Sequence, residues 1–333
     1  MNKIIRTIVL GTGLSLLAAC GGGGGGGGNP PVVVAPDAAI DAQNAVEIAG
    51  DVVTGVLDSG ELGAFGGSGL IGASNAGAPA MPFLAADAEA LDMAGAARKG
   101  IDAVMMASFG PEVSQCAVMG TVSVSGNLRR QDTLSPGDTV TARFTNCDDG
   151  EGEVINGVLT LDIDTFDGDL LSGFVALGVT MGFQSFSVTE AGEVHTVSGG
   201  LSVLIDTRNY PLNTFTMSSG SLSVTDGVET VVLSNFTTTA SSDESSQPPA
   251  FTFESSGRIS VPRHGSVTYR VEEPFTGFGE GDPESGVLYI EGSGGGNITA
   301  TVLSGNQVQL EMDYDGNGSI DETVIVTWVE LEA

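Results

Sequence analysis

The stretch GSLSVTDGVETVVLSNFTTT, residues 220–239, decides the fold. On both sides of Asp226-Gly227, apolar and small polar residues alternate. Period two places successive side chains on opposite faces of a strand. Asp-Gly between two such runs is a tight-turn signal, because its glycine adopts φ > 0 without steric cost. The unit expected here is an antiparallel hairpin. The same texture runs from Met119 to the C-terminus: TVSVSGNL (121–128), GVLTLDID (157–164), GLSVLIDT (200–207) and TVIVTW (323–328) all alternate. Gly, Asn, Asp or Ser bound these runs, about a dozen strands at hairpin spacing. No long helical pattern interrupts them, so the sheet should be antiparallel.

Some runs predict unusually long strands, notably 172–190 and 192–206. Asp167-Gly168-Asp169 and Gly265-Ser266 read as turns. SSDESSQPPA (241–250) reads as a loop, because Pro248 and Pro249 have no N–H to give a ladder. Phe166, Phe174, Phe183, Phe186, Phe215, Phe236, Phe251 and Phe253 supply the bulk of the expected core. Ahead of the strands lie two helical patterns. Residues 37–57 repeat Ala45, Val46, Ala49, Val52, Val53 and Val56 at helical spacing, with Asp37 as the expected cap. Residues 86–109 form the second, ended by Gly110-Pro111; residues 58–84 between them show no period. The fold class expected is mainly β: a large antiparallel curved meander or half-open barrel with two N-terminal helices.

The chain begins MNKIIRTIVLGTGLSLLAAC, followed by eight glycines. Lys3 and Arg6 precede a short apolar run that closes on Leu17-Ala18-Ala19-Cys20. The run is too short to span a bilayer and carries small residues before the cysteine, as a cleaved targeting segment does. This pattern resembles the lipobox of bacterial lipoproteins. The resemblance implies removal of residues 1–19, a thioether-linked diacylglycerol on Cys20 and an added acyl chain such as palmitate. Several acyl chains together anchor stably. The absence of Asp at position 21 favours the outer membrane, with periplasmic or surface exposure left open. Residues 20–36 then form a Gly/Pro tether that reaches about 20 Å as a coil. The expected organisation is a signal at 1–19, a tether at 20–36, an Ala-rich helical segment at 37–110 and an antiparallel β domain at 111–333.

The 333 residues carry a formal charge of −31, and Lys99 is the lysine left after residue 19. So acidic a surface repels phosphate backbones, and a nucleic-acid partner is not expected. The membrane enters as a partner through the anchor alone. With Cys20 lipidated, Cys116 and Cys147 are an even pair, which favours a disulfide in an oxidising compartment. The alternative is two buried free thiols. A bridge between them would stabilise by roughly 3–4 kcal/mol in the chain-entropy model.

One loop carries ligand chemistry. In MDYDGNGSIDET (312–323), Asp313, Asp315, Asn317 and Asp321 alternate oxygen donors around Gly318, and Ser319 offers its carbonyl. Hard oxygens at every second residue, with glycine at the sharp bend, suit Ca²⁺. The loop resembles the first part of an EF-hand and the DxDGNG loops of bacterial calcium-binding repeats. It departs from the EF-hand at the final position, where Val324 replaces the bidentate glutamate, and its flanks read as strands. The competing reading is a hairpin turn whose Asp, Asn and Gly serve backbone geometry and solubility. Asp162 and Asp164 in LDIDTFDGDL share a strand face and are the remaining carboxylate pair of interest. His195 and His264 fit no metal or nucleophile motif.

From Glu284 onward, Gly286, Gly292, the acidic loop and Trp328 resemble the closing part of β-rich lipoproteins of marine and related Gram-negative bacteria. That resemblance supplies an architecture and no activity. The function expected is a non-enzymatic, outer-membrane-anchored lipoprotein with a structural or binding role, with Ca²⁺ as a structural ion. The first alternative is a periplasmic carrier of lipid or another hydrophobic ligand, since half-open barrels of lipoprotein carriers hold acyl chains on an apolar concave face. The second is a polysaccharide-acting hydrolase. A filled core favours the structural role, an open apolar concavity the carrier, and two facing carboxylates in a cleft the hydrolase.

Overall fold

In a computed structural model of the chain, the described residues are 35–56, 111–129, 134–148, 150, 153–169, 174–190, 192–226, 229–261, 263–279 and 281–331. The protein is mainly β. Its strands are β1 (Glu112–Gln115), β2 (Met119–Asn127), β3 (Thr139–Asp148), β4 (Glu153–Asp169), β5 (Phe174–Glu190), β6 (Glu193–Asp206) and β7 (Leu212–Asp226), then β8 (Glu229–Asp243), β9 (Ala250–Val261), β10 (Gly265–Phe278), β11 (Ser285–Glu291), β12 (Asn297–Leu303), β13 (Gln307–Asp313) and β14 (Glu322–Thr327). Each pairs with its sequence neighbours in one 14-stranded antiparallel meander. The sheet is open: β1 and β14 are its edges. Helix α1 spans 45–56, and α2 is a single turn, Trp328–Leu331.

Strands of up to 17 residues have to bend to enclose a core. They do so at a row of bulges. Register shifts interrupt β3/β4, β4/β5, β5/β6, β6/β7 and β8/β9 near mid-strand. Asn146, Ser185 and Asn235 take positive φ in this row, and so do Gly157 and Gly199. A Cβ on Gly157 would strike the Ser185 carbonyl, and one on Gly199 the Ser221 carbonyl, so neither position accepts a side chain. Each bulge adds local twist and changes which parity faces inward. In β5 the residues packed into the inner core run Val175, Leu177, Met181, Phe183 and then Phe186, Val188. In β8 Leu233 packs inward before the bulge and Phe236 and Ala240 after it.

The inner face carries two packed cores. Strands β3–β8 enclose Phe144, Leu159, Phe183, Phe186, Phe215 and Phe236 among others. Strands β8–β14 receive α1, which buries Ile48, Ala49, Val52, Val53 and Val56 against Val267, Leu288, Ile290, Ile298 and Leu310. Each fully buried Val or Ile contributes about 1.5–3 kcal/mol. Trp328 and Leu331 of α2 close the same core. At the join of the two cores sits a buried polar pair, Thr238 and Ser255, whose hydroxyls are 2.8 Å apart and lie next to the Tyr269 phenol.

Several boundaries differ from the sequence expectation. The first helix starts at 45, not 37. Residues Asp37 and Ala39 instead bridge in parallel to Ser266 and Ser293, and Asp37 pairs with Arg258. The cap is Asp41: its carboxylate accepts the N–H of Gln43 and Asn44, while Asn44 Oδ1 accepts the Asp41 N–H at 2.9 Å. That reciprocal pair satisfies the orphan donors of the first turn. Asp167-Gly168-Asp169 is not a turn but the end of β4, paired with Phe174 to Ala176. Gly265-Ser266 opens β10 and the turn precedes it. Strand β8 continues to Asp243, which shortens the Pro-rich loop. The turn residue Gly227, the segment 58–84 and the second expected helix at 86–109 lie outside the described residues, as does Cys20 with its signal.

Candidate functional site

The meander topology puts every odd-to-even hairpin turn at one end of the sheet. The β13–β14 loop is at that end, and it holds the oxygen-rich motif. Among the described residues, Asp313, Asp315 and Asp321 are the one group of three acidic or metal-ligating side chains gathered closely enough for a metal ion. Their ligand atoms lie within 4.8 Å of one another.

The loop is shaped from within. Asp313 ends β13 and is 2 % exposed. Its Oδ1 accepts the N–H of Gly316 at 2.8 Å and of Asn317 at 3.2 Å, and Oδ2 accepts that of Gly318 at 2.7 Å. Burial pushes the Asp313 carboxyl up. The N–H groups of Gly318, Gly316 and Asn317 and the Asn297 amide outweigh it, and the net shift is below the usual carboxylate range. Asp315 Oδ1 accepts the Asn317 N–H at 3.1 Å, and Asn317 Oδ1 accepts the Ser319 N–H at 2.8 Å. Asp321 Oδ2 accepts the Tyr314 N–H at 2.8 Å, while its own N–H donates to the Met312 carbonyl. Gly316 and Gly318 both take positive φ, so the alternating oxygen set depends on those two glycines.

A carboxylate has about four lone-pair sites. The backbone donors take three at Asp313, where the Asn297 amide takes the fourth, and one each at Asp315 and Asp321, so the lone pairs left for a cation are on Asp315 and Asp321. Glu322 does not join them: its Oε2 accepts the Tyr314 hydroxyl at 2.7 Å. Burial, then that hydrogen bond and the charges of Glu322, Asp321 and Asp41, push the Tyr314 phenol up to about 12. The five residues named from the sequence, Asp313, Asp315, Asn317, Ser319 and Asp321, therefore share one loop. Val324 stands where an EF-hand has its bidentate glutamate, and Glu322, two residues before it, is turned away toward Tyr314.

The other sequence candidates stay apart. Cys116 and Cys147 form a disulfide with Cα atoms 5.4 Å apart, tying the residue after β1 to the end of β3. Asp162 and Asp164 are exposed on the outer face, where Asp164 accepts the Thr180 hydroxyl at 2.6 Å. His195 lies in β6, opposite Val188. His264 lies in the β9–β10 turn, with Nε2 3.1 Å from Glu47 Oε2 of α1 but outside hydrogen-bond geometry. Three strands, β7 to β9, separate the two histidines. Asp138, which the sequence does not single out, is fully buried and accepts the Arg129 and Ser135 N–H groups at 2.8 Å each. It braces a loop. Arg208, Arg258 and Arg270 each pair with a carboxylate.

Comparison with protein-family models, with curated proteins and with solved structures returns no match.

Proposed function

We propose that this chain is a lipid-anchored protein of the outer membrane whose β domain has a non-catalytic structural or binding role and is stabilised by Ca²⁺ at the β13–β14 loop. The observation that carries the reading is the carboxylate group of Asp313, Asp315 and Asp321, within 4.8 Å of one another on a loop already bent by N–H donors. Three like charges so close repel, and a divalent cation reverses the sign. The inner face supports the same reading. Helix α1 occupies the apolar surface of β8–β14 that a carrier would leave for its ligand. The anchor rests on the Leu17–Cys20 sequence.

The loop lacks the bidentate glutamate, so the affinity expected is that of extracellular modules, about 10⁻⁴–10⁻³ M. Calorimetric titration of the full chain with Ca²⁺ tests it. A saturable site in that range, lost in Asp315→Ala, supports the proposal. Heat that is unchanged in Asp315→Ala contradicts it.

A further inference from the structure

Strand β14 is an edge, and from Thr323 to Val326 it lacks the devices that keep edges apart. Its six residues hold unbroken register with β13, from Met312↔Glu322 to Gln307↔Thr327. It has no bulge, proline or lysine. Ile325 projects from the outer face at 53 % exposure, and Ile320 and Val329 beside the strand are exposed too. Buried Trp328 and Leu331 hold the end of the strand in place. Among the described residues, nothing pairs with its free side.

The occupant follows from the sequence of the strand. Thr323-Val324-Ile325-Val326-Thr327 reads the same in both directions. Antiparallel pairing with itself sets Ile325 opposite the partner's Ile325, Val324 opposite the partner's Val326 and Thr323 opposite the partner's Thr327. Like β-branched residues meet along the whole contact, which is the self-complementarity an isologous two-fold interface needs. The five residues carry no charge, in a chain of net charge −31 whose copies otherwise repel. The other edge fits less well: β1 is four residues long, and its sequence Glu-Val-Ser-Gln is not the same in both directions.

We propose that two copies of this chain pair through the free edges of their β14 strands, about a two-fold axis at Ile325, into one continuous sheet with 14 strands from each copy. Two carboxylates tune the contact. Glu330 Oε2 accepts the Thr327 N–H at 2.8 Å and so covers one end of the edge. In the pair, Glu330 of each copy approaches the partner's Glu322. Salt therefore strengthens association by screening that repulsion, and Glu330→Gln strengthens it further.

The test is thiol cross-linking of the full-length chain in detergent with a short bismaleimide. Exposed Ile325 accepts cysteine without loss of core packing. Ile325→Cys alone should yield a species of twice the monomer mass, and Val113→Cys on the opposite edge should yield none. Sedimentation should show Ile325→Lys monomeric and Glu330→Gln more dimeric than the parent. A cross-link formed when the two cysteine variants are mixed, but by neither alone, would mean head-to-tail pairing and overturn the two-fold contact. Absence of any cross-link, with the introduced thiol of Ile325→Cys shown reactive to a monofunctional maleimide, would overturn it as well.

Discussion

Two glycines on one helix give opposite signs for the same substitution. Gly50 of α1 faces α2: a Cβ there would land on the Leu331 carbonyl oxygen, well inside van der Waals contact and on backbone that Trp328 holds in the core. Gly55 faces the tip of a side chain, with Ile259 Cδ1 3.2 Å from the built Cβ. In an unobstructed helix, Gly→Ala stabilises by up to about 1 kcal/mol. Overpacking against a fixed neighbour costs about 1–3 kcal/mol. Gly55→Ala should then be neutral or stabilising, because the Ile259 tip can give by a few tenths of an ångström. Gly50→Ala should be destabilising, because the helix has to lift from α2 and from the strands beneath. The two variants should differ by about 2 kcal/mol, or roughly 5 °C in melting temperature for a chain of this size. Thermal and urea unfolding of both, followed by circular dichroism, measures the difference. Equal stabilisation by the two substitutions would refute the seating of α1 against α2, and with it the filling of the inner face of β8–β14.

Other expectations address the loop, the bridge and the anchor. The Asp313 carboxyl is held below its ordinary range, so its contribution is complete at neutral pH and fades as pH falls through its lowered folded-state value. Asp313→Asn should destabilise at pH 7, and by progressively less below about pH 4; a gap independent of pH would count against the N–H cradle. Non-reducing peptide mapping should recover Cys116 and Cys147 in one linked peptide, and two thiols open to alkylation without reductant would reject the bridge. Cys20→Ser should leave the chain unprocessed or release it from the membrane fraction. Unchanged mass and fractionation would remove the basis for the anchor.

The strands were legible because alternation is a local property. Leu222, Val224, Val231 and Leu233 can be read inward without knowledge of any partner, and the open antiparallel meander follows from hairpins repeated in order. The bulges were not legible. Asn146, Ser185 and Asn235 take positive φ because facing strands bend together, and nothing in their neighbours along the chain demands it. The helix cap is hidden for a related reason. Asp37 after Pro36 has the local mark of a cap, but pairing with Ser266 and Arg258 draws it into extended structure, and the reciprocal Asp41–Asn44 bonds take over four residues later. The loop at Asp313–Asp321 was legible because its donors sit at every second residue. The turn of Glu322 toward Tyr314 was not, because both residues flank the motif and meet only when the hairpin closes. The disulfide could be paired by count, and its 5.4 Å Cα separation comes from the β1–β3 register.

The most direct test of the central claim is the melting temperature of the chain and of Asp315→Ala, each with Ca²⁺ and with Mg²⁺ at matched ionic strength. At free Ca²⁺ roughly 30 times its dissociation constant, mass action stabilises the folded state by about 2 kcal/mol, several degrees in melting temperature. The parent chain should show that rise in Ca²⁺, and Asp315→Ala should lose it. An equal rise in both proteins, or in both salts, would mean general screening of an acidic surface and would reduce the Asp313–Asp321 loop to a hairpin turn.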